Sequence, residues 1–339
     1  MTQPLPLVPY GAPPAPKPWW RVLLSVRELP IAIVLLVIVV AVTLRQPTFL
    51  AIDNVSTLLV AVSLVVVLAM GQSVVVITRG IDVSVGSIMG MAGMTAAVMY
   101  QQHQIAGLPG GVGVVLAIGC LGGALNGLLV AGAGVPAIIA TLGTLGLYRA
   151  VAFYVSSGRT VSDVYLPDGV RQLSLSGPFG ERTIPWIVVI ALALAILTVL
   201  MLRYTRIGRH VYAVGGNADA ARLRGVRVRR VTFFAYVFSG GAAGLAGLLS
   251  VANYGSVNPE QIGSGRELAS IAAVAVGGVS IFGGAGSVTG VVVAALLLGT
   301  IEQALSVLGI EKGWQATAYG AAILLAMSFD AWAGRLRKD

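Results

Sequence analysis

The sequence predicts an all-α integral membrane protein of about ten transmembrane helices, arranged as two inverted five-helix repeats with broken or re-entrant helices. Three observations carry this. The 339 residues are 57% hydrophobic and 10% charged, with mean hydropathy +0.89, where a soluble domain carries roughly 25% charged residues. The apolar residues gather in runs near the ~20 needed to cross a hydrocarbon core. The strongly basic loops between those runs all fall on one side once the runs are counted as spans, as positive-inside topology requires.

The first eighteen residues hold seven prolines and no periodicity, so residues 1–28 are expected to be a disordered, polyproline-leaning cytoplasmic tail and juxtamembrane segment. They do not read as a signal peptide, because the first apolar run starts too late and no small-residue cleavage site follows it. That run, 29–46, is the first span, with Lys17, Arg21 and Arg27 before it and Trp19 and Trp20 as interfacial anchors. The next spans are expected at about 55–78, 86–101, 111–131, 135–155, 185–203, 230–252, 266–282, 285–303 and 314–331, which makes 29–332 a single transmembrane domain. Ten spans from a cytoplasmic N-terminus leave the loop 203–230 and the basic tail 333–339 in the cytoplasm. The loop 156–184 then lies outside, its Arg159, Arg171 and Arg182 balanced by Asp163, Asp168 and Glu181. An eight-span chain with 86–101 and 266–282 re-entrant fits the same pattern.

Division near residue 170 gives two halves of five spans, and an odd number inverts the second half. Each half has a polar, glycine-bearing interruption after its second span, Thr78–Ser87 in the first and Asn253–Glu267 in the second. Backbone freed there must be buried in protein or line a wet cavity. The breaks are therefore read either as part of a translocation path or as tight turns capped by Asp82 or Ser84 and by Ser264. Charge inside a membrane is costly, and few charges need explaining: Arg79, Asp82, Arg149, Arg266, Glu267 and Glu302. Arg79 and Asp82 are expected to pair across their glycine turn and hold the break. Glu302 is expected to pair with Lys312 or to face a cavity. The pathway candidates are Asp82, Ser84, Asn258, Glu267 and Glu302.

Residues 203–230 carry eight arginines and, within them, the signals of a short helix. Asn217 is the expected N-cap, Asp219 lies in the positive first turn, Arg222 and Arg224 lie in the negative last turn, and Gly225 supplies the left-handed stop. A helix of that length is not stable alone in water, so it needs a partner surface. The partner that suits it is an ATPase subunit delivering a mechanical stroke. An ordinary positive-inside loop is the other reading.

Other chemistries find little support. Cys120 lies in an apolar run and reads as a small core residue, and two histidines with one cysteine are too few for a metal cluster built on those ligands. The net charge of +9 is explained by arginines flanking spans rather than by a nucleic-acid face. The run Gly277–Gly286 lacks the Gly-Lys-Ser/Thr ending of a phosphate loop and reads as close packing and a tight turn. Gly119, Gly122, Gly123 and Gly127 repeat at helical spacing and also read as packing. No acid/base pair or nucleophile constellation stands out, so neither an enzyme nor a cofactor is expected.

Four stretches together resemble a known family. Gly80-Ile-Asp-Val-Ser-Val-Gly-Ser87, Thr141–Arg149, Gly208–Gly225 and Glu267–Gly286 are similar, in that order, to permease subunits of bacterial ABC importers for monosaccharides, of the ribose/xylose/arabinose/rhamnose/autoinducer-2 type. The resemblance covers about 30–332. It implies an inner-membrane permease paired with a second copy or a paralogue, bound to a cytoplasmic ABC ATPase and fed by a periplasmic or lipid-anchored sugar-binding protein. The family motif maps onto Gly215, Gly216, Asn217, Ala220, Ala221, Arg222 and Gly225, which the resemblance assigns to ATPase coupling. Asp219 supplies the first-turn charge and Leu223 a side chain to bury in the partner's groove. The chain departs from the common pattern at Ala218 and Asp219 and, further along, at Glu302-Gln303. An ion-coupled secondary sugar transporter is the alternative, and it should carry a membrane-embedded ion site.

Overall fold

Continuous apolar runs fold here into helices whose ends are set by glycine, proline and polar breaks. The computed structural model describes residues 28–178, 180, 181 and 184–310, with 314, 317, 320, 321 and 324 beyond them. The proline-rich tail, Lys312, most of the span expected at 314–331 and the tail 333–339 lie outside the described residues.

The first half comprises α1 (Glu28–Arg45), α2 (Ile52–Ile77), α3 (Val85–Gln101), α4 (Gly107–Gly127, prolonged by a π-turn to Gly132) and α5 (Ala137–Val155). A connecting segment holds the amphipathic α6 (Asp168–Leu175) and a two-residue hairpin of β1 (Ser176–Gly177) and β2 (Gly180–Glu181). The second half comprises α7 (Trp186–Tyr204), the short α8 (Arg206–Gly216) and α9 (Ala218–Leu223), then α10 (Val228–Tyr254), α11 (Arg266–Val276) and α12 (Val288–Val307). Among the described residues six helices are long and apolar enough to cross a membrane: α2, α4 with its π-turn, α5, α7, α10 and α12; α1 is a shorter apolar helix.

The span expected at 266–282 is corrected. Helix α11 stops at Val276 because Gly277 and Gly278 follow, the latter at φ +82°. Its eleven residues reach about 16 Å, short of the ~30 Å hydrocarbon core. The following glycine run makes a tight turn closed by Ser280 N donating to Ala285 O at 2.9 Å. The region at 86–101 is a helix, α3, buried on nearly every face.

Burial sorts the helices into a centre and a rim. Helix α2 is largely apolar and almost wholly buried from Val60 to Ile77, as an apolar helix in a core should be. Helix α10 runs beside it and packs on α2, α3 and, most extensively, α4. The α4–α10 contact is backbone on backbone. A Cβ added to Gly119 would overlap the Gly240 carbonyl, and one on Gly240 would overlap the Gly119 carbonyl. The glycine spacing on α4 is thus a packing stripe, met by Gly240 and Gly244 of α10. The rim helices turn apolar side chains outward, with Leu121 at 70% and Leu197 at 62% exposure. The contacts between the halves are reciprocal: α10 lies on α3 and α4, while α2 lies on α11 and α12.

Candidate functional site

The arginine-rich end holds α8 and α9. Thr205 starts α8 by accepting from Gly208 N at 3.2 Å, and Gly208, Val211, Val214 and Gly215 bury its inner face. Asn217 closes α8 through its N–H to Ala213 O and opens α9 with its side chain. Its Oδ1 accepts from Asp219 N and Ala220 N, each at 3.0 Å. Gly225, at φ +82°, ends the helix, with Gly225 N donating to Arg222 O and Val226 N to Ala221 O. The Asp219–Arg222 pair spans 3.2 Å, with both side chains exposed, and contributes little.

The helix expected at 217–225 therefore forms, with the expected cap and stop. The residues assigned to it divide by side. Gly216, Asn217, Asp219, Ala220, Arg222, Leu223 and Gly225 are exposed, and Leu223 stands out at 89%. Ala221 and Gly215 are buried in the protein's own body. A Cβ on Gly215 would overlap the Ile77 carbonyl at the end of α2 and lie 2.6 Å from Gly284 N. Gly284 N donates to Ile77 O at 2.9 Å. Three backbones meet at this point: the ends of α2 and α8, and the glycine turn after α11.

The expected Arg79–Asp82 pair does not form. Arg79 sits at φ +68°, turned toward α8, where Nε donates to Gly215 O at 2.6 Å and Nη2 to Gly216 O at 2.7 Å. A guanidinium fork matches two adjacent carbonyls at a helix C-terminus, where the helix dipole favours a cation. Asp82 points the other way, into the protein centre, at 0% exposure. Its Oδ1 accepts from Ser84 N (3.0 Å), Ser84 Oγ (2.6 Å) and Asn126 Nδ2 (3.4 Å), and its Oδ2 from Ser239 Oγ (3.3 Å).

The cluster continues outward from Asp82. Asn126 Nδ2 donates to Ser84 Oγ at 2.7 Å, Thr144 Oγ1 donates to Asn126 Oδ1 at 2.7 Å, and Tyr148 OH donates to Gly122 O at 2.8 Å. Thr141 Oγ1 reaches Ile81 O at 3.2 Å. The Gln72 amide, oriented to satisfy both contacts, faces the Asp82 peptide N–H and C=O at 3.2 and 3.1 Å. The stretches Gly80–Ser87 and Thr141–Arg149 thus fold onto each other. Sequence reading, which weighed charges, passed over Gln72, Asn126 and Ser239. Their signal is there: uncharged polar residues inside apolar runs. Ser84 holds the N-cap position of α3 but makes no cap bond, since its hydroxyl is committed to Asp82.

The second break lies at the other end of α10. Val257 forms an isolated antiparallel bridge with Val161 of the connecting segment, and Asn258 Oδ1 accepts from Glu260 N at 2.9 Å. Ser264 was the expected cap of α11; the N-cap is Gly265, at φ +76°. A pocket of about 340 Å³ opens here, lined by Met89 of α3, Ser250 and Tyr254 of α10, and Asn258, Gln261 and Arg266 among others. Arg266 donates to Tyr254 OH at 2.8 Å. Glu267 Oε1 accepts from Gly265 N at 3.3 Å, and its Oε2 lies where a Cβ on Gly86 would be. The two breaks therefore touch, through Gly86 on one and Gly263 and Glu267 on the other. Of the pathway candidates, Asn258 lines the pocket, Glu267 sits at the contact between breaks, Asp82 and Ser84 lie in the closed cluster, and Glu302 is half-buried on α12.

Residues 54–328 match the family described as the permease component of a branched-chain amino acid transport system. The chain belongs to this permease family. It is 37% identical over 289 residues to the autoinducer 2 import system permease protein LsrC of Salmonella typhimurium (strain LT2), covering 85% of this chain and 80% of that one. It is 36% identical over 307 residues to the protein of the same name from Escherichia coli O9:H4 (strain HS), covering 91% and 86%. No solved structure matches. The likeness drawn from four motifs thus holds over most of the chain, a multi-pass membrane protein of an import-system family.

Proposed function

We propose that this permease is the transmembrane subunit of an ABC importer that moves a monosaccharide or sugar-like solute into the cell. The observation that carries this reading is α9: a capped helix of six residues on the arginine-rich end, with Leu223 projecting from it into solvent. Such a helix has no stability of its own, and an exposed leucine beside arginines suits a groove on an acidic, cytoplasmic partner. On this reading the ATPase subunit docks on α9, hydrolysis belongs to that subunit, and closing of its nucleotide domains displaces α9.

The remaining organisation follows from the same reading. Residues 29–332 form one transmembrane domain in a bacterial inner membrane, with the tails 1–28 and 333–339 and the loop 203–230 cytoplasmic and 156–184 periplasmic. The reciprocal packing of α2 on α11 and α12, and of α10 on α3 and α4, supports two inverted repeats, with α11 a re-entrant helix rather than a span. A second permease copy or paralogue completes the channel, and a periplasmic or lipid-anchored binding protein delivers solute. Nucleic acid is not a partner.

The pocket at the second break lies at the end opposite α9, where such a protein would release its cargo. Its serines, Asn258, Gln261 and Tyr254 suit a hydroxylated solute better than an aliphatic amino acid, as do the relatives named for autoinducer 2 import. Asn258, Glu267 and Glu302 are the pathway residues on this reading, while Asp82 and Ser84 hold the first break.

The test is gentle purification of the tagged permease from its own membranes beside a Gly225→Arg variant, with partners identified by mass spectrometry. Recovery of a two-domain ATPase with wild type and its loss with the variant are expected. Absence of any ATPase under conditions that preserve ABC complexes would move ion coupling ahead, and uptake abolished by an ionophore would then be the next measurement.

A further inference from the structure

Between α2 and α3 lies a segment of seven residues, Thr78–Ser84, that is fastened at both ends to different parts of the permease. At its start, Arg79 forks onto Gly215 O and Gly216 O at 2.6 and 2.7 Å, the last two carbonyls before the Asn217 cap of α9. Around that fork the glycine backbones lie close together. A Cβ on Gly215 would overlap Ile77 O, one on Gly283 would overlap Arg79 Cγ, and one on Gly284 would lie 2.6 Å from Gly216 Cα. Three residues on, Asp82 is fixed to Ser239 of α10 and, with Ser84, to Asn126 of α4. Close packing of this kind is little compressible and transmits displacement.

We propose that Thr78–Ser84 is the transmission element of the permease and that Arg79 is its positioning residue, converting movement of α9 into movement of α4 and α10 about Asp82. The inference rests on the coupling reading above and adds to it the internal connection. The geometry gives it physical content: Gly216, which accepts from Arg79, is joined to α9 through Asn217 alone, so α9 cannot shift as a body without pulling on Gly216 and hence the fork. Arg79 is also held at a positive φ, a conformation uncommon for a residue with a side chain, and the bond to α8 is what that conformation makes possible. The test separates assembly from transmission.

The experiment uses the complete permease–ATPase complex in liposomes, with the binding protein and its solute, comparing wild type with Arg79→Gln and Arg79→Lys. ATP hydrolysis should stay within about twofold of wild type while solute moved per ATP falls about tenfold in Arg79→Gln, the scale of a typical inter-site coupling. Arg79→Lys, which keeps the charge but not the fork, should fall between them. Hydrogen exchange supplies the second readout. On trapping with ATP, wild type should change protection at both 215–225 and 78–84, and Arg79→Gln at 215–225 alone. The proposal is overturned if Arg79→Gln transports with wild-type stoichiometry, or if hydrolysis and transport fall in proportion. It is equally overturned if wild type changes at 215–225 with 78–84 unmoved, a result independent of any variant. Failure of wild type to bind an ATPase at all would remove the coupling reading itself, and so is told apart from failure of the clamp.

Discussion

Asn217→Ala tests whether α9 works as a preformed docking element. The side chain caps two otherwise orphaned N–H groups, Asp219 N and Ala220 N, at 3.0 Å each. Loss of such a cap costs about 1 kcal/mol, within a range of about 0.5–2. In this helix little else compensates: it spans six residues, its ion pair is exposed, and Ala221 is its only buried side chain. A cost of about 1 kcal/mol lowers the helix–coil constant about fivefold. Apparent affinity for the partner scales with the competent fraction, so the ATPase should bind about threefold more weakly if the free helix is near balance, and about fivefold if it is mostly unformed. Transport at saturating ATPase should be unchanged, because the variant alters how often the helix is formed and not what the formed helix does. Asn217→Asp, which caps equally well, should keep wild-type affinity. The assay is titration of purified ATPase onto permease in nanodiscs, read by solute uptake. Equal weakening by Asn217→Asp and Asn217→Ala would refute the reasoning, as would loss in Asn217→Ala that excess ATPase does not restore.

Two further predictions address the body of the permease. Asp82→Ala strands the Ser84 and Ser239 donors in a closed site, at about 1–3 kcal/mol for each group left without an acceptor. It should melt well below Asp82→Asn, which keeps an acceptor, when both are followed by thermal unfolding in detergent; matched melting would deny the cluster its structural part. Gly240→Leu drives a side chain into the Gly119 carbonyl and should cost at least the ~1–3 kcal/mol of an overpacked core, seen as lost monodisperse yield. Gly143→Leu, at a glycine with nothing within 4 Å, should leave yield unchanged.

Local signals were legible in the sequence and long-range partners were not. The spans at 29–46, 55–78, 135–155, 185–203 and 230–252 were readable because an apolar run in a membrane protein has one structural outcome; observed ends differ by only a few residues. The Asn217 cap and the Gly225 stop were readable because capping is decided within one turn. The fate of Arg79 was not, since its acceptors lie 136 and 137 positions away and Asp82 stood nearby as an obvious partner. The C-terminal carbonyls of α8, where the helix dipole favours a cation, draw the guanidinium, while serine hydroxyls and an asparagine amide satisfy the carboxylate. The extent of α11 was misjudged because apolar residues resume after Gly277-Gly278, at Val279, Ile281 and Phe282, while the chain turns on the backbone freedom of glycine.

The two breaks differ in a way that bears on how an alternating-access cycle would run. The first is closed: Asp82 has no exposed surface and both carboxylate oxygens are engaged. The second is open toward a pocket of about 340 Å³ at the end opposite α9. They meet where Gly86 lies against Gly263 and the Glu267 carboxylate, a contact with no room for a Cβ. A shift delivered to residues 78–84 must therefore be carried by the start of α3 and pressed onto the second break, since Gly86 has no side chain with which to take it up. Arg149 of α5 holds that break from another side, donating to the Glu260 and Ile262 carbonyls at 3.3 and 3.4 Å. With the pocket walls formed by Met89 of α3 and Gln261 and Ile262 of the break, movement of α3 relative to α5 changes the pocket directly. On this argument the shape of the pocket is set from the far end of the molecule, through the Arg79 fork and the close contacts that Gly86 permits.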